Sequence, residues 1–118
     1  SYLYNYVEPH EIKFNNLIIG SVFTMDNNLI DTTPNLKGEG IFMSHLCIDK
    51  NHRKKGFGKK LVKDVINNIK NKKKNYIILL VEESNKAAIN LYESLGFIKY
   101  KKEYTIYFTR VIFYVKYL

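Results

Sequence analysis

Three features of this 118-residue sequence predict an α/β domain built on a mixed sheet. Six short runs carry strand-like apolar patterns, and two longer runs carry helical spacing. Two of the strand-like runs, 41–49 and 76–82, flank one amphipathic helix, which is the connection that parallel neighbours require. The length suits a single hydrophobic core over residues 1–118 and leaves no room for a second.

In chain order, Tyr2 to Val7 reads as a short strand closed by Pro9. Asn16 to Asp26 is β-branched and aromatic, again a strand. Asn27 to Gly40 holds Asn-Asn, Thr-Thr-Pro-Asn and Gly-Glu-Gly, so it reads as turn or loop. Ile41 to Asp49 is a strand with Phe42, Leu46 and Ile48 on one parity and Ile41, Met43 and Cys47 on the other, a pattern that predicts burial on both faces. From Phe57 the apolar positions are 57, 61, 62, 65, 66 and 69, one stripe of a helix whose other side is lysine. Tyr76 to Val81 is fully apolar and reads as a central strand. Ser84 or Asn85 caps a second helix, Lys86 to Leu95, and Gly96 stops it. Ile98 to Lys102 and Tyr104 to Leu118 read as two final strands.

Hydrophobic residues make up 46% and charged residues 25%, which excludes a disordered or collagen-like chain. The single cysteine, Cys47, excludes an internal disulfide framework. As a lone strand cysteine it is expected to be a small buried apolar residue. No apolar run approaches the ~20 residues of a membrane span, and no signal peptide is visible. A reducing, cytoplasm-like compartment is therefore expected.

The formal net charge of +8 is concentrated. Between Lys50 and Asn75 there are eleven Lys/Arg and one acid, a net of +10, which leaves the rest at −2. Such a window suits a small polyanion held at one place. The chain has 17 Lys against 2 Arg and 13 Asn, a bias that an AT-rich genome also produces. The run Lys70 to Lys74 is read as a solvated helix end.

Within that window, Arg53-Lys54-Lys55-Gly56-Phe57-Gly58-Lys59 puts two glycines where a helix begins. The first N–H groups of a helix lack internal partners and, with the dipole, favour an anion. A Cβ there would hold a phosphate away from the backbone. The segment is neither a Walker loop nor the three-glycine dinucleotide fingerprint. Further on, Asn85 and Tyr92 stand seven residues apart, about two turns, so they share one edge of the second helix.

Together the two segments resemble the GNAT acetyltransferase superfamily. Leu46-Cys47-Ile48-Asp49-Lys50-Asn51-His52-Arg53-Lys54-Lys55-Gly56-Phe57-Gly58 is similar to its Leu-x-Val-x-Pro-x-x-Arg/Gln-x-x-Gly-x-Gly segment, with Lys50 in place of the usual proline. Asn85 to Phe97 is similar to Asn-x-x-Ala-x-x-Leu-Tyr-x-x-x-Gly-Phe, most like the N-terminal protein acetyltransferases. The resemblance implies a central mixed sheet flanked by helices, a short N-terminal part, and transfer of acetyl from acetyl-CoA to an amine by direct attack, with no metal. It implies backbone contacts from Leu46, Cys47 and Ile48 to the acetyl carbonyl and pantetheine. Arg53, Lys54, Lys55, Gly56, Phe57, Gly58 and Lys59 would hold the pyrophosphate. Asn85 would touch the pantetheine arm, and Tyr92 would be the acid for the departing thiolate.

The positions where the family carries a general base are Phe42 and Leu80 here, which leaves His45, Glu82, Glu39 or water. The helices that usually precede this region have no counterpart before Ile41, as in a truncated or minimal member or one completed by a partner subunit, and a homodimer is compatible with this. The acceptor is a protein N-terminus, a lysine or a small amine. Three loosely spaced ligands, His45, Cys47 and His52, make a poor metal set. Two other readings stay open: a GNAT-like CoA-binding domain without catalysis, and a basic nucleic-acid-binding module, which the resemblance disfavours.

Overall fold

A computed structural model describes residues 6–118 apart from Asp31 and Asn35, and without the side chains of 101–103. Six strands form one sheet: β1 (Glu8–Phe14), β2 (Leu17–Asp26), β3 (Gly40–Ile48), β4 (Tyr76–Glu82), β5 (Ile98–Ile106) and β6 (Thr109–Tyr117). Their spatial order is β1-β2-β3-β4-β6-β5. Among the described residues only the β3–β4 pair is parallel, so the sheet is mixed. Helices α1 (Phe57–Asn71) and α2 (Lys86–Ser94) connect its centre.

Both helices pack on one face. The α1 stripe Leu61, Val62, Val65, Ile66 and Ile69 is buried, as are Ile89 and Tyr92 of α2. They meet Ile41, Met43, Ile77, Leu79, Val81, Ile112 and Tyr114 of the sheet. Burying each such side chain contributes about 1.5–3 kcal/mol before the entropy of ordering is subtracted. The other parity of β4 and β6 (Tyr76, Ile78, Phe113, Val115) forms a smaller cluster with Leu36, Phe42, Leu80 and Tyr100.

Four expectations need correction. A strand runs from Glu8 through Pro9 to Phe14, where proline was expected to end one. Pro9 is tolerated because β1 is an edge strand, the part of a sheet that accommodates proline. Residues 2–5 of the strand expected at Tyr2 to Val7 lie outside the described residues. The last two strands are divided at Tyr107-Phe108, not near residue 103. Both turn residues have positive φ (47° and 67°), the handedness that a two-residue hairpin needs, achieved without glycine or asparagine.

The third correction concerns β3. Ser21 of β2 faces Cys47 and Phe23 faces Ser44, so β3 carries one residue more than β2 between these pairs. The extra residue makes a bulge at His45, whose φ is 58°. Ile41 and Met43 face the helices before it, and Leu46 and Ile48 face them after it. The two apolar parities thus arise in part from a change of phase, not only from two buried faces. Finally, Cys47 is exposed, because the bulge turns the odd positions away from the core.

Candidate active site

The β3–β4 ladder has three rungs: Gly40 with Tyr76, Ile41 with Ile77 and Phe42 with Ile78. β4 then continues to Glu82 fully paired with β6, and β3 continues to Ile48 paired with β2. Among the described residues, the edge of β3 that faces β4 has no strand partner from Met43 onward. Leu46, Cys47 and Ile48 lie on this open stretch, where main-chain N–H and C=O groups are available to an extended chain carrying amides.

The loop after β3 starts at Asp49. Its carboxylate accepts hydrogen bonds from Asn51 N at 3.2 Å and pairs with His52 Nδ1 at 2.8 Å. That His52 contact holds the Asp49 carboxyl below its ordinary range. Arg53 Nε donates to Ile48 O at 2.9 Å and ties the loop back to β3. Lys54 and Gly56 then both take positive φ (62° and 84°), and α1 begins. Among the described residues no side chain caps this helix, and its first turn has no acid. The first intrahelical bond is Lys60 N to Gly56 O at 3.0 Å, so the N–H groups ahead of it have no helical acceptor.

Gly56 needs its freedom for φ, and a Cβ there would meet nothing within 4 Å. Gly58 differs. A Cβ would meet Ile48 Cγ1 at 3.6 Å and Leu91 Cδ2 at 3.9 Å, ordinary contacts, so packing alone does not demand glycine. The same two distances show that the end of β3, the start of α1 and the middle of α2 converge on Gly58. The Phe57 ring turns to Phe14 and His52, with centroids at 5.7 and 6.1 Å, so only its backbone faces the helix start. Lys55 and Lys59 are exposed beside it.

On α2, Asn85 rather than Ser84 is the cap, and its Oδ1 accepts from Ala88 N at 3.2 Å. Among the described residues its amide NH₂ has no side-chain acceptor. Tyr92 is 7% exposed and stacks at a tilt on Phe97, 5.6 Å between centroids. Burial pushes its phenol up to about 12. Among the described residues its hydroxyl has no hydrogen-bond partner. A cavity of about 380 Å³ opens beside Asn85, lined by Glu83, Ser84, Lys86, Phe108, Thr109 and Arg110.

Phe42 and Leu80 are half-buried in the apolar cluster opposite the helices, so neither supplies a base. Glu39 lies before the first rung, roughly 20 Å along β3 from Leu46 at ~3.3 Å per residue, and pairs with Lys74 at 3.1 Å. This removes it from the possible bases. His45 is exposed with its ring against Phe23, and Glu82 is exposed at the open end of β4. Among the described residues, His45, Cys47 and His52 do not gather into a group that could hold a metal. Two features escaped the sequence reading: the His45 bulge, and the Phe14–His52–Phe57 ring cluster under the loop.

Residues 25–106 match the family described as FR47-like protein, a span that contains both motifs and the open edge of β3. The chain belongs to this family. The FR47-like chain is 34% identical over 93 residues to N-alpha-acetyltransferase 30 of Schizosaccharomyces pombe, covering 79% of itself and 59% of that relative. It is 35% identical over 66 residues to N-alpha-acetyltransferase 30 of Saccharomyces cerevisiae, covering 56% of itself and 38% of the relative. It thus spans about three-fifths or less of these relatives. Among solved structures it is similar to a chain of the NatC complex bound to Gag peptide and CoA, with a TM-score of 0.74 and 26% identity over 91% of this chain and 65% of that one. A GNAT family acetyltransferase from Elizabethkingia anophelis with acetyl-CoA bound shares the fold, with a TM-score of 0.77 and 21% identity over 99% and 80% of the two chains. The FR47-like chain therefore has the GNAT-type fold that its motifs imply.

Proposed function

We propose that residues 1–118 form one domain that binds acetyl-CoA in the cleft between β3 and β4 and transfers its acetyl group to an α-amine at a peptide N-terminus. The observation that carries this reading is the unpaired edge of β3 ending at the uncapped start of α1. The edge suits pantetheine amides, and the helix start suits a diphosphate. Gly58, the second residue of α1, adds support, because glycine is a poorer helix former than alanine. Packing does not require it, so access to the backbone is what glycine provides. The relatives named N-alpha-acetyltransferase favour an α-amine as acceptor.

In this reading the neutral amine attacks the thioester carbonyl. The C–N bond forms, the C–S bond breaks, and the amine's proton leaves to solvent. Main-chain N–H groups at Leu46 to Ile48 stabilise the developing oxyanion. Tyr92 donates a hydrogen bond to the departing sulfur and does not complete a proton transfer. A phenol near 12 giving its proton to a thiolate near 8.5 would run uphill by about 5 kcal/mol. The acceptor sits at the open end of the cleft, by the cavity beside Asn85.

One observation favours a second reading, CoA binding without turnover: apolar Phe42 and Leu80 stand at the usual base positions. Thermal unfolding with acetyl-CoA, CoA and a short oligonucleotide tests the first step. Saturation at ~100 times the dissociation constant adds about 2.7 kcal/mol of stability, and Gly58→Asp should abolish the shift. A shift with the oligonucleotide alone would end the acyl-CoA reading. Turnover of peptides with free N-termini separates an enzyme from a CoA-binding domain.

A further inference from the structure

We propose that Asn75 and Asn27 are positioning residues, forming a polar clasp that sets how far β3 and β4 diverge, and this role rests on the acyl-CoA reading of the cleft. The arms of the cleft share three rungs, and beyond Phe42 no rung joins them directly, each being backed by its other neighbour, β2 or β6. At the closed end the ladder is extended by a side chain. Glu39 N donates to Asn75 Oδ1 at 2.8 Å, and Asn75 N donates to Glu39 O at 2.7 Å. The Asn75 carbonyl accepts from Leu118 N at 2.9 Å, which brings in the end of the chain after β6.

A second hub lies next to it. Asn27 is 3% exposed, and all of its amide is engaged. Its Nδ2 donates to Tyr76 Oη at 2.9 Å and to Pro34 O at 3.2 Å, and its Oδ1 accepts from Thr33 Oγ1 at 2.6 Å. The Tyr76 ring lies against Gly40, where any Cβ would collide with it. A Cβ on Gly38 would likewise collide with the Asn75 side chain. Lys74 spans Glu39 at 3.1 Å and Asp26 at 3.8 Å. The end of β2, the starts of β3 and β4, and Asn27, Thr33 and Pro34 between β2 and β3 thus meet at one point, far from the open stretch at Leu46 to Ile48.

Leverage makes this lock functional. Six residues of extended chain past Phe42 reach roughly 20 Å, so a tilt of about 3° at the base moves the far end by ~1 Å. An error of that size at reacting groups can cost about a hundredfold in rate.

The spacing is directly measurable. Cys47 is the sole cysteine and is exposed on one arm, and Glu82 is exposed on the other. Spin labels on Cys47 and on an introduced Glu82→Cys report the distance across the cleft in the full chain. In this parent a single narrow distribution is expected. Asn75→Ala should broaden it and move it to longer distance, whereas Asn75→Asp keeps the acceptor oxygen and should restore the parent distribution. Tyr76→Phe keeps the ring on Gly40, loses the Asn27 contact, and should broaden the distribution less, which covers the case that Asn75→Ala does not fold. Unchanged distances in Asn75→Ala, or in Tyr76→Phe where the first is unfolded, overturn the clasp. So does broadening that Asn75→Asp fails to reverse. These distances are read without coenzyme, so they do not depend on the acyl-CoA reading. Acetyl-CoA binding is read separately, by thermal unfolding of the unlabelled chain, and a missing shift there overturns that reading while the clasp stands.

Discussion

At Tyr92 two demands act on one phenol: the ring fills the core against Phe97, and the hydroxyl has no partner among the described residues. Truncating only the oxygen separates them. Tyr92→Phe is expected to lower kcat about ten- to a hundredfold, with acetyl-CoA affinity and melting temperature little changed, as turnover and thermal unfolding would show. Loss of affinity together with unfolding would make Tyr92 a core residue alone. The same phenol shapes alkaline stability. Unfolded tyrosine ionises near 10, whereas the folded phenol holds its proton to about 12. The unfolded state therefore binds fewer protons between these values, and stability falls as pH rises through that window, by up to about 2–3 kcal/mol. Chemical denaturation at pH 9 and near pH 12 should show the fall, and Tyr92→Phe should diminish it.

The start of α1 is the element on which sequence and structure agree most closely. Its two glycines do different work. Gly56→Ala forces a Cβ to φ 84° and should destabilise the chain by about 1 kcal/mol. Gly58→Ala places a methyl at ordinary contact distance and should be neutral or stabilising, yet weaken acetyl-CoA binding. Melting temperature and coenzyme titration on the two variants check both halves. This element was legible because helix periodicity, lysine segregation and the glycine pair all point to one boundary. The β5–β6 turn was not. Tyr107-Phe108 lacks turn residues and sits inside the strand-like stretch Tyr104-Thr105-Ile106-Tyr107-Phe108-Thr109, so nothing local marks the reversal. β1 was hidden by Pro9, whose meaning depends on whether a strand lies at an edge or inside a sheet. The exposure of Cys47 was hidden by the bulge, which only the partner strand reveals.

On the scale of the whole molecule, the basic window is only partly free. Lys72 pairs with Glu8 at 3.2 Å and Lys74 with Glu39 and Asp26, so acids distant in sequence return to the lysine-rich end of α1. The lysines by the candidate site lie at its other end. The molecule also offers no carboxylate or imidazole at Phe42 or Leu80. If the amine loses its proton to solvent, kcat/KM should rise tenfold per pH unit and level off near the acceptor's own value of about 8. A plateau nearer 6 in the pH–rate profile would point instead to an enzyme base. One structural detail has wide reach. His45 is the odd residue that resets the phase of β3, and both halves of the strand keep their apolar side on the helices because of it. Removing that single residue would turn the far half of the strand inside out, sending Leu46 and Ile48 into water while Cys47 moved beneath the helices. A one-codon deletion on the surface would thus undo the interior.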